Sequence, residues 1–351
     1  MADAADSGPV LHKVPPPQAL DPMLTPMHVV LERVDSRLLS PERDVRIWPT
    51  GFPLLDDALG GGLRAGALNL LAGSQGEGKT TFALQIARQC AKDERPVLFF
   101  SFELDAESLL QKVIAAEAAE IGKAESPISV YQVRAAFEGT DECDGGLPER
   151  LGRYAGGLDA LEIVSGYASR LLIHRSTTTN TNLEVIASAV KDVLSEFGEP
   201  PLVVVDYLQK VRSHQNMDEE AAITQVTERL KDIAIEFECP MLAISASDRE
   251  GLEPGHRMRA RNMKGSTALA YEADVVLILA NKADIVARHH LMYSTNNADQ
   301  FKNYSVLTIE KNRSGRTGAE IEFKKDFLCG RFVAQGKVVS EKLVDERVYT
   351  E

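Results

Sequence analysis

The chain has 351 residues, 44% of them hydrophobic and 26% charged, and a formal net charge of −13. The apolar share suffices for a real core in one large domain or two small ones; no apolar run approaches the length of a membrane span, so no membrane-spanning helix is expected. The acidic excess excludes a general nucleic-acid coat and leaves strand binding to a local basic loop.

The first residues, Met1 to Asp6, are acidic and carry no apolar core of the signal-peptide kind. Four scattered cysteines, Cys90, Cys143, Cys239 and Cys329, form neither a C-x-x-C nor a zinc spacing. That is the pattern of reduced thiols, and a cytoplasmic location is expected. Residues 1–22, with Pro15-Pro16-Pro17 and few large apolar groups, predict a disordered tail. Within 23–49, Val30, Leu31, Val34 and Leu38 recur at helical spacing over Met27–Leu39 until Pro41 ends the run. The apolar face of this helix covers either its own domain or a neighbouring subunit, and periodicity leaves both open.

A core domain is expected over 50–334. Thr50 to Leu63 leads into a short buried strand, Ala67–Leu71. Gly73, Ser74, Gln75, Gly76, Glu77, Gly78, Lys79 and Thr80 follow, fitting G-x-x-x-x-G-K-[ST] without a gap, and Thr81 opens an amphipathic helix. Strand, glycine loop and helix together form the context in which this pattern cradles a polyphosphate: backbone N–H groups and the helix N-terminus face the negative charge. Lys79 would reach the β and γ phosphates of ATP, and the Thr80 hydroxyl would ligate Mg²⁺.

Further strands are expected at Pro96–Ser101, Leu171–His174, Pro201–Asp206 and Pro240–Ser245, with helices over Ala106–Ile121, from Asn182 as a cap to Phe197, and over Ala221–Phe237. Short helices are expected near Val130–Phe137, Pro148–Tyr154 and Leu158–Tyr167, with an exposed acidic loop at Asp141–Gly146. Late strands at Ala273–Leu279, Ser305–Glu310 and Glu320–Phe323 come close together, which predicts an antiparallel edge. The expected fold is therefore α/β: a mostly parallel sheet with helices on both faces and antiparallel edge strands. Residues 335–351 read as a C-terminal tail.

In such a sheet the ligand sits at the carboxyl ends of the strands. Asp206 ends one of them and is expected to help hold Mg²⁺. Glu103, just past another, is placed to orient and deprotonate an attacking water. Arg257, Arg259, Arg261 and Lys264 make four basic residues in eight positions of an acidic chain, a candidate grip on strand phosphates. Arg212–Met217 is a weaker second loop of this kind.

From Thr50 to Val333 the sequence resembles the C-terminal ATPase domain of DnaB-type replicative helicases, a RecA-like fold. The likeness rests on Thr50-Gly51-Phe52 with Leu55-Asp56, Gly78-Lys79-Thr80-Thr81-Phe82-Ala83-Leu84, Phe100-Ser101-Phe102-Glu103-Leu104, Asp206-Tyr207-Leu208-Gln209, Glu272-Ala273-Asp274-Val275-Val276-Leu277 and Lys311 to Gly318, in that order. The resemblance implies a hexameric ring ATPase that moves on single-stranded DNA and unwinds duplex, with a loader or primase-like partner. It implies that Glu103 is the catalytic glutamate and Asp206 the Walker-B acid. Lys311 and Arg313 would reach the γ-phosphate held by the adjacent subunit, the segment 257–264 would face the central channel, and the helix Met27–Leu39 would pack on a neighbour.

Three departures stand out. Only about 45 residues precede the core, so the family's globular N-terminal domain is expected to be lacking. Ala246 stands where the family carries a phosphate-sensing glutamine, and Lys264-Gly265-Ser266-Thr267 replaces a loop that usually reads Arg-Glu-Ser-Gly. The alternative these departures favour is a RecA-fold oligomer that acts as a nucleotide-dependent regulator or scaffold, without helicase activity.

Overall fold

A computed structural model of the protein describes residues 24–39, 46–122, 125–213, 218–248, 256–287 and 300–345. The expected tail 1–22, and most of the second candidate loop, Arg212–Met217, lie outside the described residues. The chain divides into two units, 1–46 and 47–351. In the first, α1 (Met27–Leu39) takes the expected span and buries none of its residues.

The second unit begins at Ile47, ahead of the expected boundary, because β1 (Ile47–Trp48) pairs with β2 (Leu63–Arg64). Between them lies α2 (Pro53–Leu59), in a stretch expected only as a lead-in. Pro53 stands in its first turn, and the Asp56 carboxylate accepts hydrogen bonds from Thr50 N and Thr50 Oγ1, each at 2.7 Å. That closed turn is the physical content of the Thr50-Gly51-Phe52…Asp56 pattern.

The rest alternates strand and helix: β3 (Leu68–Gly73), α3 (Lys79–Lys92), β4 (Val97–Ser101), α4 (Ala106–Ile121), α5 (Val130–Glu138), α6 (Leu147–Gly152), α7 (Gly157–Tyr167), β5 (Leu171–Arg175), α8 (Leu183–Phe197), β6 (Leu202–Asp206), α9 (Glu219–Glu236), β7 (Met241–Ser245), α10 (Ser266–Glu272) and β8 (Val275–Asn281). Then come β9 (Tyr304–Asn312), β10 (Glu320–Asp326), β11 (Arg331–Phe332) and β12 (Lys337–Val338). The ten-stranded sheet runs β11-β10-β9-β8-β3-β7-β6-β4-β5, with β12 on β10. From β8 through β5 the strands are parallel; β9 pairs antiparallel with β8, and β10 pairs antiparallel with β9, β11 and β12.

Strand alternation assigns the two faces. Leu71, Phe99, Val204, Leu242 and Leu277 pack with α3, α4 and α7 in one core cluster. Leu70, Phe100, Val203, Ala243 and Val276 pack with α8 and α9 in the other. Fully buried strands of this kind need cover on both sides, and each large side chain so buried contributes about 1.5–3 kcal/mol. Among the described residues no helix is long and apolar enough to cross a membrane.

The segment 335–345, expected as a tail, is tied to the sheet. β12 pairs with β10, and Glu341 meets the buried Lys282 ammonium at 2.8 Å. Ala287 N donates to Lys342 O, and Arg257 N to Asp345 O.

Candidate functional site

β3 ends at Gly73, and α3 starts from Gly78 in a left-handed conformation, φ 87°. Two glycines here are dictated by space. A Cβ at Gly73 would lie 2.3 Å from the Leu279 carbonyl oxygen, and one at Gly78 would strike the Phe327 ring at 2.7 Å. The loop thus turns tightly against β8 on one side and against the turn after β10 on the other, leaving its N–H groups and the α3 N-terminus to line a cavity.

That cavity has a volume of about 600 Å³ and lies at the carboxyl ends of β3, β4, β6 and β7. Its walls include Gly73, Gln75, Gly76, Gly78, Lys79, Thr80 and Thr81, together with Glu103 and Asp206. The structure therefore brings together most of the loop residues and both acids singled out in the sequence. The Ser74 and Glu77 side chains do not line it. Ser74 contributes its carbonyl, which accepts from Lys79 Nζ at 2.9 Å, alongside Gly73 O at 2.8 Å. The Glu77 carboxylate lies 3.8 Å from Lys325 Nζ on β10.

The Thr80 hydroxyl donates to Asp206 Oδ2 at 2.7 Å. Burial pushes the Asp206 carboxyl up to about 6, with the neighbouring Glu103 charge acting in the same direction and the Thr80 bond and Lys79 opposing. Burial pulls the Lys79 ammonium below the ordinary lysine value, while Asp206 and Glu103 act against it. The site is therefore dry enough for each charge to feel the next, the condition under which cations and phosphates interact strongly. A hydroxyl beside a carboxylate is a hard oxygen donor set that suits Mg²⁺.

The cavity also takes in Tyr207, Ser245, Ala246 and Ser247, from two of the stretches that carry the family resemblance or depart from it, and three residues that the sequence reading missed: Lys112 on α4, and Phe327 and Gly330 after β10. Those three are isolated in the sequence with no local signature; only the fold brings them to one rim.

Lys311 and Arg313 are not part of the cavity. Gly73 pairs with Leu279 at the carboxyl end of β8, whereas Lys311 pairs with Val276, near its amino end. Lys311 Nζ donates to the carbonyls of Ala270 (2.6 Å) and Tyr271 (3.0 Å), and Arg313 Nη2 donates to Tyr271 O at 2.6 Å. Both cations thus sit on the last carbonyls of α10, which favour positive charge. Arg313 also faces Asp274 at 3.4 Å. Burial, then the nearby Arg313 charge, pulls Lys311 below the ordinary lysine value.

The basic segment departs from expectation. Arg257 is buried, and its guanidinium bonds Thr308 Oγ1 at 2.8 Å and the Glu320 carboxylate. In this structure it ties the segment to the sheet and does not face outward. Arg259 reaches Glu310 (2.6 Å) and Asp345 (2.9 Å from Nε), and Lys264 pairs with Glu219. Arg261 is exposed. Among the described residues no group of three or more His, Cys, Asp or Glu side chains forms a metal cluster.

The sequence matches the family described as DnaB-like helicase C terminal domain over residues 48–134 and 157–332. A probable replicative DNA helicase of Trieres chinensis is 29% identical over 277 residues, covering 77% of this chain and 53% of the relative. The replicative DNA helicase DnaB of Pasteurella multocida is 27% identical over 283 residues, covering 79% of this chain and 54% of its own. The chain spans about half the length of these curated relatives. Among solved structures, a DnaB-like replicative helicase, described with its interactions with primase, superposes with a TM-score of 0.65 at 21% identity, over 87% of this chain and 65% of that one. A second solved structure, described as an ATPase domain, gives 0.64 at 20% identity, over 87% and 96%. At those identities the superpositions speak for the fold, a RecA-like one.

Proposed function

This chain belongs to the DnaB-like helicase C-terminal domain family, and from that premise we propose that it is an ATP-hydrolysing motor. It assembles as a ring, hexameric in this reading, translocates on single-stranded DNA and separates duplex. One observation carries the proposal. The cavity gathers the glycine loop with Lys79, the hydrogen-bonded pair Thr80 and Asp206, and the Glu103 carboxylate, while Lys311 and Arg313 lie away from it, at the far end of β8.

The division of labour follows. Lys79 and the loop N–H groups hold the β and γ phosphates. Thr80 and Asp206 would hold Mg²⁺, whose bound charge would help neutralise those phosphates. Glu103 orients the attacking water and takes its proton. Within one chain Lys311 and Arg313 cannot do their part, but a neighbouring protomer's pair, delivered across an interface, would neutralise the transition-state charge. Hydrolysis then depends on subunit contact, which is how chemistry would drive movement. The DNA grip falls first on Arg261, with Arg259 and Lys264 exchanging carboxylate partners for phosphates. The loss of such backbone contacts weakens binding irrespective of sequence.

A primase-like protein or a loader is proposed as a partner, by likeness to the helicase described with primase. The site residues fit a catalytic ATPase better than a silent scaffold, since Glu103 lines the cavity beside Lys79 and Asp206. The test is displacement of a strand from a forked duplex with ATP and Mg²⁺, alongside ATPase rates with and without single-stranded DNA. DNA-stimulated hydrolysis with unwinding is expected. An ATPase indifferent to DNA that never displaces a strand would leave the regulator or scaffold reading.

A further inference from the structure

Gln209 is used by none of the steps above, yet its side chain stands at a junction. It lies in the single helical turn Leu208–Lys210, joined to the end of β6 that carries Asp206 by one residue. Its Oε1 accepts from Ala246 N at 3.1 Å, and its Nε2 donates to Ser245 Oγ at 3.0 Å and to Lys264 O at 3.3 Å. Both N–H donors and the oxygen of the amide are thus engaged. Ser245 and Ala246 line the cavity; Lys264 belongs to the basic segment.

The same two stretches are laced together by backbone. Lys264 N donates to Ala246 O at 3.0 Å and Asp248 N to Asn262 O at 2.8 Å, with an antiparallel bridge between Ser247 and Met263. The cavity rim and the basic segment therefore form one short ribbon, and Gln209 pins that ribbon to the strand that carries Asp206. Ala246 itself has no side-chain group with which to bond a phosphate. At this position an occupant can be met only by backbone, and the Ala246 N–H is held by Gln209.

We propose that Gln209 is the positioning residue that makes the setting of the basic segment, residues 259–264, depend on what occupies the cavity. The inference rests on the nucleotide reading of the cavity but not on DNA as the partner. When a triphosphate and its metal draw on Asp206 and the Ser245–Ser247 rim, the Gln209 amide shifts with the strand end. Because it donates to Lys264 O, the segment shifts with it. A shared network of this kind transmits small displacements, since breaking any one bond strands a partly buried polar group.

The experiment uses the full chain in its native assembly, with Mg²⁺ and a nonhydrolysable ATP analogue. Analogue affinity, thermal unfolding and backbone hydrogen exchange are measured for the wild type, Gln209→Ala and Gln209→Glu. In the wild type the analogue should change exchange in peptides covering 256–264 by about threefold or more. Gln209→Glu keeps the acceptor for Ala246 N and the side-chain length but replaces the donor to Lys264 O with an oxygen. Both variants should bind the analogue within about twofold of wild type, a small loss because Gln209 does not line the cavity, yet lose the exchange response at 256–264. A response that persists in both variants overturns the inference, as does a wild type that binds the analogue with no change at 256–264. A wild type that binds no analogue fails earlier, at the proposed function, and the affinity measurement identifies that case.

Discussion

The phosphate loop and the basic segment are both short stretches with strong sequence signals, and the fold treats them in opposite ways. Lys79 finds its loop partners five and six residues away, within the motif itself. Arg257 bonds residues 51 and 63 positions away, and Arg259 residues 51 and 86 away. The loop's character is set by its own backbone: glycines at close approaches and a helix start. The segment's character is set by carboxylates that the sheet brings to it. A backbone motif can therefore be read from its letters, whereas a charge cluster can be read only after its counter-charges are placed.

The trans pairing offers the largest effect by which to break this contrast. Arg313→Ala should cut hydrolysis in the assembled protein by about 10³-fold or more while leaving nucleotide affinity near wild type, measured by turnover and by equilibrium binding. Next comes Arg257→Ala. If Arg257 is a structural tie, unfolding should become easier by roughly 2–3 kcal/mol, a buried-pair cost discounted for the partial exposure of Glu320. The salt dependence of single-strand binding should stay unchanged. A phosphate-gripping Arg257 would do the reverse.

Gly78→Ala sharpens the other half. It would place a Cβ at φ 87° against the Phe327 ring, costing about 1–3 kcal/mol of stability in thermal or denaturant melts and weakening nucleotide binding. Smallest is Arg261→Ala, which should lower the slope of log affinity against log salt by about one and leave stability unaltered. An unchanged slope would move the DNA grip off this segment.

The sequence signalled the sheet well, for physical reasons. Val203-Val204-Val205 and Leu98-Phe99-Phe100 have no polar face, so they had to be covered twice, and Asn182 caps α8 as its side chain and position suggested, accepting from Val185 N at 2.9 Å. Less was legible where structure depends on long-range support. α2 is a single short amphipathic stretch held by Asp56, and α10 begins after Gly265 at φ 82°, where a Cβ would meet Ile223 of α9. Of the site, Lys79, Thr80, Glu103 and Asp206 were readable because each ends or follows a strand on the ligand side of the sheet. Phe327 and Gly330 were not, because their neighbours in space are remote in sequence. The segment 335–345 read as a tail because Lys337 and Val338 form a two-residue strand, too short for a periodic signal.

The account stands on a nucleotide held by one protomer and cleaved with cations from the next. Mixing Lys79→Ala protein with Arg313→Ala protein and measuring ATP turnover tests it most directly. Each variant alone should be nearly inactive, and an equimolar mixture should recover about a quarter of wild-type turnover, the share of random heterologous interfaces that join an intact loop to an intact arginine. Wild-type turnover by Arg313→Ala alone, or a mixture as inactive as its components, would contradict the shared site.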